Sequence, residues 1–196
     1  MAYVTLTELA RRFGGAEVLM RAAPDRVLAW RGEAVSFAAV AAAYPLAAAG
    51  DAVLAVAEDQ IATYSGTAWA LLALPTLDQA IGDAGAEIDG YLAARYQVPL
   101  APQTVTPMIR KVAGDLARFY LFQQGMTQIP DAVADQYKGS RTYLASVGRG
   151  DLALTQAAAP ADPGGLVELS TSPPVFGSRR QGNGEAPGDC GCGGFL

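Results

Sequence analysis

The most constraining feature of this sequence is the helical spacing of apolar side chains between residues 74 and 150. In three successive segments the apolar residues recur every three or four positions, which is typical of helices that bury one face. Pro107 and Pro130 lie at the starts of the second and third segments, where proline is best tolerated. Short linkers separate the segments. The pattern therefore predicts three packed helices, in other words a small helical bundle.

The first of these helices is expected to have a capping box, with Thr76 as the N-cap and Gln79 three residues later. It is expected to end near Tyr96, before a proline-rich linker. Alanine makes up 39 of the 196 residues, and without it the apolar share falls from 51% to roughly 31%. The core is thus expected to be of modest size and to be formed by closely packed helices.

Residues 23–67 have a different pattern, with strand-like runs on either side of an alanine-rich stretch. The alanine-rich stretch predicts a short helix that ends near Pro45. The runs after it predict a hairpin around Glu58 and Asp59, and Arg31-Gly32 and Gly50-Asp51 are turn signals. We therefore expect this part of the chain to be a small mixed α/β insertion.

The two ends of the chain differ strongly from each other. Residues 1–22 predict an N-terminal helix of the bundle, with Thr7 as its N-cap and a stop at Gly14-Gly15. Residues 156–196 contain 9 Gly and 5 Pro among 41 positions, which is typical of a loose arm. The sequence thus predicts a mainly α fold, with the N-terminal helix (1–22), the insertion (23–67), the helical bundle core (68–155) and an extended C-terminal arm (156–196).

Composition excludes several kinds of chemistry. With no histidine, the chain cannot build a Ser-His-Asp triad, a Cys-His pair or a histidine-based zinc site. Cys190 and Cys192 are too few for a structural zinc site, and we expect them to be incidental. The net charge of −5 disfavours tight binding to duplex DNA. No signal peptide, transmembrane helix, phosphate-binding loop or cofactor is expected.

A few carboxylates are the remaining candidates for catalysis or metal binding. Asp115 has Lys111 and Arg118 at helical spacing, so a structural ion pair is favoured over a general base. Asp83, Glu87 and Asp89 fall on one helix, where a solvated or subunit-facing polar face is favoured over a metal site. These residues give no catalytic arrangement, and the sequence predicts a protein that is not an enzyme.

Several blocks of the sequence resemble one family, the small head-to-tail joining proteins of Mu-like tailed bacteriophages. The N-terminal "MAYVTLTELARRFGGAEVL" is one block, and "DQAIGDAGAEIDGYLAARYQVPL" is another. The family pattern of the second block is carried by Ile88, Asp89, Tyr91, Leu92, Arg95, Tyr96, Pro99 and Leu100. A third block is Asp115, Leu116, Ala117 and Arg118, and a glycine-rich tail with "PPVF" at residues 173–176 follows. The insertion at residues 23–67 departs from the family, whose connection there is shorter.

The resemblance implies an adaptor in the neck of a tailed phage or phage-like particle. Such a protein forms a homo-oligomeric ring below the portal, of twelve copies if it follows the portal's symmetry. It binds the portal and the next neck or tail-completion protein, and DNA passes through its lumen without specific binding. We predict that the partner contacts lie at Arg95 and Tyr96 after the long helix, and at Val175, Phe176, Arg179 and Arg180 in the arm.

Two other functions stay open at this point. The first is an accessory protein of DNA packaging that binds nucleic acid, which would retain DNA in a salt-dependent manner. The second is a carboxylate-dependent hydrolase that uses Asp83, Glu87 or Asp115.

Overall fold

The computed structural model describes residues 2–124 and 128–154, all of which belong to the compact unit Met1–Pro163. The helices are α1 (Leu6–Phe13), α2 (Gly15–Ala22), α3 (Phe37–Ala43), α4 (Pro75–Leu92), α5 (Pro107–Gln124) and α6 (Asp131–Arg149). The strands are β1 (Ala29–Ala34), β2 (Asp51–Ala55), β3 (Gln60–Tyr64) and β4 (Trp69–Leu72). A single 3-10 turn, Pro102–Thr104, lies between α4 and α5.

The long helices α4, α5 and α6 pack against one another, and α1 and α2 lie against α5. Their contact faces bury large aliphatic side chains together with alanines, which allow the helix backbones to approach closely. The fully buried residues include Leu77, Ile88, Ile109, Leu116 and Leu144. This helical layer is the part of the fold that the apolar spacing of residues 74–150 predicts.

The four strands form one mixed sheet in the order β1-β2-β3-β4. Strands β1 and β2 are parallel, and α3 makes the crossover that parallel strands require. Strands β2, β3 and β4 follow one another as antiparallel neighbours. On one face of β2, Leu54 belongs to the core of the long helices, while on the other Val53 packs in a second cluster with Val40 of α3. The sheet is therefore covered on both faces at its centre.

The expectation of a mainly α fold is wrong. Helices hold about 54% of the described residues, and a four-stranded mixed sheet is an integral part of the structure. Leu54 and Ile61 of this sheet lie in the same buried cluster as α4 and α5. Periodicity indicates that strands are present, but it cannot show what covers each face of a strand. The boundaries of the four segments proposed from the sequence stay predictions.

The expected starts of two helices are confirmed, and the expected N-caps of two others are wrong. Helix α5 begins at Pro107, and Pro130 is the N-cap of α6. The N-cap of α1 is Thr5, which forms a capping box with Glu8, so the assignment to Thr7 is wrong. Helix α4 begins at Pro75 after Leu74, without a side-chain cap at its N-terminus, and it ends at Leu92 rather than near Tyr96. The predicted capping box of Thr76 and Gln79 is therefore wrong.

Within the sheet region, the expected hairpin and the short helix are confirmed, but one turn signal is wrong. Strands β2 and β3 pair around residues 56–59, and α3 ends before Pro45. Gly32, expected in a turn, lies inside β1 at an irregularity of the pairing with β2. Arg31 is also in β1, where its Nε lies 2.8 Å from the carboxylate of the buried Asp51 at the start of β2. The ion pair ties the two parallel strands together.

Asp59 joins the sheet to the helical layer. It lies in the turn between β2 and β3 with φ of 51°, a left-handed conformation that aspartate tolerates better than most residues. Its carboxylate accepts hydrogen bonds from the backbone N–H groups of Leu6 and Thr7, at 3.0 and 2.7 Å, and from the Thr7 hydroxyl at 2.6 Å. These are unsatisfied donors of the first turn of α1, where negative charge is also favourable.

We predict that Asp59→Ala lowers the free energy of unfolding by about 2 kcal/mol, because the first turn of α1 loses its acceptors. Asp59→Asn should cost less, since asparagine keeps one acceptor oxygen and tolerates the left-handed conformation. Urea unfolding followed by circular dichroism measures both changes. The control is Asp135→Ala, at an exposed carboxylate whose contact is a surface ion pair with Lys138. An equal loss in Asp135→Ala and Asp59→Ala would contradict the prediction.

Candidate interaction site

A groove with a volume of about 600 Å³ lies between the N-terminal segment, the β3–β4 hairpin and α4. One wall is formed by Val4 and Leu6, and another by Leu77 and Ile81 of α4. Small residues of α4 leave room between these walls. The groove is also lined by three carboxylates, those of Asp59, Asp78 and Asp89. None of the described residues that line it is Lys or Arg. It is therefore apolar in its walls and acidic in its charge.

The N-terminal wall of the groove is held by Tyr3. This buried phenol donates a hydrogen bond to Asp89 of α4 and accepts one from the backbone N–H of Leu100 at 2.9 Å. Burial, and then the bond to Asp89, raises the pKa of the Tyr3 phenol far above its ordinary value. Tyr3 therefore stays protonated and keeps the segment before α1 fixed against α4.

Asp115 is the buried carboxylate at the centre of the helical layer, and its side chain is 4% exposed. It lies 2.8 Å from Nη2 of Arg12 in α1 and accepts a hydrogen bond from the Ser140 hydroxyl of α6 at 3.1 Å. The expected partners on its own helix are wrong: Arg118 pairs instead with Glu17 of α2, at 2.7 Å. Because Asp115 connects α1, α5 and α6 in this way, its contacts are those of a structural ion pair.

Glu87 and a cluster of aromatic rings connect α4 to α5 and α6. The Glu87 carboxylate accepts a hydrogen bond from the Tyr120 hydroxyl at 2.8 Å and lies 3.0 Å from Nε of Arg141. Burial, and then this carboxylate, raises the pKa of the Tyr120 phenol. The Phe119 and Tyr137 rings stack beside it, with centroids 3.8 Å apart. Glu87 is thus engaged in helix packing.

Carboxylates in the described part of the chain do not converge on a metal site. Among residues 2–124 and 128–154, no three Asp, Glu or Cys side chains are placed so that they could hold a metal ion. Within the same residues, no helix is both long and apolar enough to cross a membrane. The predicted grouping of Asp83 with Glu87 and Asp89 therefore gives no metal-binding cluster, and two of these three side chains bond to tyrosines.

Arg95 and Tyr96, two of the predicted partner contacts, lie together at the C-terminal end of α6. Arg95 donates a hydrogen bond from Nη1 to the Arg149 carbonyl at 3.2 Å, where it satisfies a free helix-end acceptor. The Tyr96 hydroxyl accepts a hydrogen bond from the backbone N–H of Leu154 at 3.1 Å. Tyr96 is 8% exposed, so most of its ring is used in packing. A role for this pair in binding a partner stays a prediction.

The other predicted contacts, Val175, Phe176, Arg179 and Arg180, lie outside the described residues, as do Cys190 and Cys192.

Three residues that hold these contacts are not identified from the sequence as site residues: Asp59 in the groove, Tyr3 at its N-terminal wall, and Arg12, which pairs with Asp115. Asp59 carries a local signal, because an acidic residue in a tight hairpin turn can reach a neighbouring helix N-terminus. Tyr3 and Arg12 carry none, since their partners lie 86 and 103 residues away in the chain. Such pairs are found only once the helices are placed against one another.

Two comparisons relate the chain to known proteins. The profile of the family described as "Bacteriophage Mu, Gp36" matches residues 3–168. Gene product J of Escherichia phage Mu is 36% identical over 110 residues, which cover 54% of this chain and 73% of that relative. The expected resemblance to a Mu-like phage family is confirmed at this level, while the head-to-tail joining role stays a prediction.

We predict that Asp115→Leu lowers the free energy of unfolding by about 3 kcal/mol, because Arg12 and Ser140 lose their common acceptor. The double variant Arg12→Leu with Asp115→Leu should lose less free energy of unfolding than the two single variants lose together, because it leaves no unpaired charge. Urea unfolding of the two single variants and the double variant completes the cycle. Strict additivity of the two changes would contradict the structural role of the pair.

We predict that stability falls at alkaline pH through Tyr3 and Tyr120. Both folded pKa values are raised, so their stabilising contribution is complete below the ordinary tyrosine value of about 10. It is lost as the pH rises above that value, because the unfolded state then releases protons that the folded state retains. Urea unfolding between about pH 8 and about pH 11 measures the slope. The double variant Tyr3→Phe with Tyr120→Phe should have a smaller slope, and an unchanged slope would contradict this assignment.

Proposed function

Because the chain belongs to the Bacteriophage Mu Gp36 family, we propose that it is a structural adaptor of the phage neck. In this proposal it forms a ring below the portal, joins the head to the tail and lines the channel through which DNA passes. A ring of twelve copies would follow the portal's symmetry. The protein is a virion component and has no catalytic role of its own.

The observation that carries the proposal is the extent of the family match, which runs from residue 3 to residue 168. The match spans the groove wall, the sheet and all of the long helices of the described structure. The order of the sequence blocks, from "MAYVTLTELARRF" to "ARYQVPL", supports the narrower assignment to a joining protein.

The chemistry of the buried carboxylates supports a mechanical role. Asp115 is held by Arg12 and Ser140, and Glu87 is held by Tyr120 and Arg141. A general base needs a free oxygen within reach of a substrate proton. These two are among the three carboxylates that the hydrolase alternative names, and both are instead used to join helices.

The charge of the chain fits a channel through which DNA moves. The net charge is −5, and basic residues are spread along the sequence rather than clustered. Since affinity for DNA grows with the number of neutralised phosphates, a ring of such chains would retain DNA weakly. In the proposal, contact with the portal is made by Val175, Phe176, Arg179 and Arg180, with Arg95 and Tyr96 at the end of α6 as a second contact.

The test is capture of the portal protein encoded by the same phage. In the full-length chain, Val175→Ser with Phe176→Ser, and separately Arg179→Ser with Arg180→Ser, should each lower portal binding at least about tenfold, the usual cost of losing an interface anchor. Co-sedimentation of purified portal with each variant measures the binding. Deletion of residues 156–196 should abolish it.

The matched control is Cys190→Ser with Cys192→Ser, which changes the same C-terminal segment at positions that we expect to be incidental. It should bind portal as the unchanged chain does. If the chain without residues 156–196 still co-sediments with portal, these contacts are wrong. If the unchanged chain binds no portal, the adaptor function itself is wrong.

A further inference from the structure

The acidic groove described above can accept a projecting element. Asp59 and Asp89 each accept hydrogen bonds without a cationic partner, and Asp78 is exposed. In the part of the chain that the structure describes, none of the three carboxylates is in an ion pair. On α4, Gly82 lines the groove, and a Cβ atom placed there would have no neighbour within 4 Å. The groove therefore has space, apolar walls and three carboxylates without a cationic partner among the described residues.

The first turn of α5, residues 107–111, is a ridge with the opposite charge. Clefts of about 340 and about 220 Å³ lie on its two sides. Pro107, Met108, Arg110 and Lys111 are all exposed, and Met108 is 39% exposed although it is a large apolar residue. Nη1 of Arg110 lies 3.7 Å from a carboxylate oxygen of Glu8, which is a long ion pair. Lys111 forms no ion pair within the described residues. Methionine is flexible enough to fill an irregular apolar groove.

The ridge and the groove of one copy do not face each other. Val4 of the N-terminal segment lines both the groove and the smaller cleft beside the ridge, so this segment runs between them. The segment is fixed, since Tyr3 is bonded to Asp89 and Leu100. The two complementary surfaces of one copy therefore do not meet each other, and both are open to other copies. A contact between two different surfaces of identical chains is heterologous, and such contacts generate rings when the rotation closes.

We propose that the ridge of one copy, residues 107–111, inserts into the acidic groove of a second copy. Met108 packs between the wall of Val4 and Leu6 and the wall of Leu77 and Ile81, and Lys111 approaches Asp78. Each chain then contributes its ridge to one neighbour and its groove to the other. The inference rests on the proposed ring-forming function, and it names the surfaces by which the ring closes.

The experiment uses full-length chains that carry Cys190→Ser and Cys192→Ser, so that introduced cysteines are the only thiols. One preparation carries Gly82→Cys in the groove and the other carries Met108→Cys on the ridge, and the two bear different affinity tags. The preparations are mixed and treated with a short bis-maleimide. The yield of heterodimer cross-linked through both tags, measured by gel electrophoresis, should be several-fold above that of the control pair.

The matched control replaces Gly82→Cys by Gly90→Cys. Gly90 is on the same helix, is exposed, and likewise has open space for a Cβ atom, but it does not line the groove. Circular dichroism establishes that all variants are folded. Equal cross-linking from positions 82 and 90 overturns the proposal.

A charge exchange gives the second measurement. Lys111→Glu on the ridge preparation should lower the cross-linking yield roughly tenfold, as expected for the loss of a close interfacial charge pair. Asp78→Lys on the groove preparation should restore it. Lys138→Glu, at an exposed lysine of α6, is the control and should leave the yield unchanged. An unchanged yield with Lys111→Glu, or no recovery with Asp78→Lys, overturns the proposal.

The portal experiment separates the two proposals. A chain that binds portal but shows no preference for position 82 contradicts only the ridge and groove contact. A chain that cross-links as expected but binds no portal contradicts the adaptor function and still supports the contact between copies.

Discussion

The arrangement of the two layers depends on the hydrogen bonds that the Asp59 carboxylate accepts from the first turn of α1. The carboxylate places a negative charge at the N-terminus of α1, where helix amides point outward without partners. Because Asp59 belongs to the turn between β2 and β3, this bond fixes the sheet against the helices. The segment before α1 then lies against α4, where Tyr3 bonds to Asp89. The groove exists because these two contacts hold its walls in place.

The remaining acidic residues show how a chain of net charge −5 distributes its carboxylates. Asp115 and Glu87 are paired with cations between helices, and Asp51 is paired with Arg31 between strands. Those carboxylates contribute to folding and leave little charge for a partner. The carboxylates around the groove are different, since they have no cationic partner among the described residues. Asp25, Glu58, Asp83 and Asp131 also form no ion pair within the described residues, but the groove brings three such carboxylates to one surface.

Membership of a phage protein family and this distribution of charge lead to the same kind of function. An assembly protein needs surfaces that fit other chains, and it needs a rigid core to hold those surfaces in register. The core is provided by α4, α5 and α6 with the sheet packed against them. The proposed ridge and groove give such a protein two different surfaces, as closed rings of identical chains require.

The sequence by itself determined the elements whose signals are local. Proline set the starts of α5 and α6, apolar spacing identified the long helices, and alternating strand-like runs identified the β2–β3 hairpin. Tertiary structure decided the fold class, because coverage of both faces of β2 by separate layers involves residues far apart in the chain. It also decided that Asp115 pairs with Arg12 and not with its helix neighbours. The physical reason is that an ion pair or a groove depends on which elements meet, and local spacing carries no information about that.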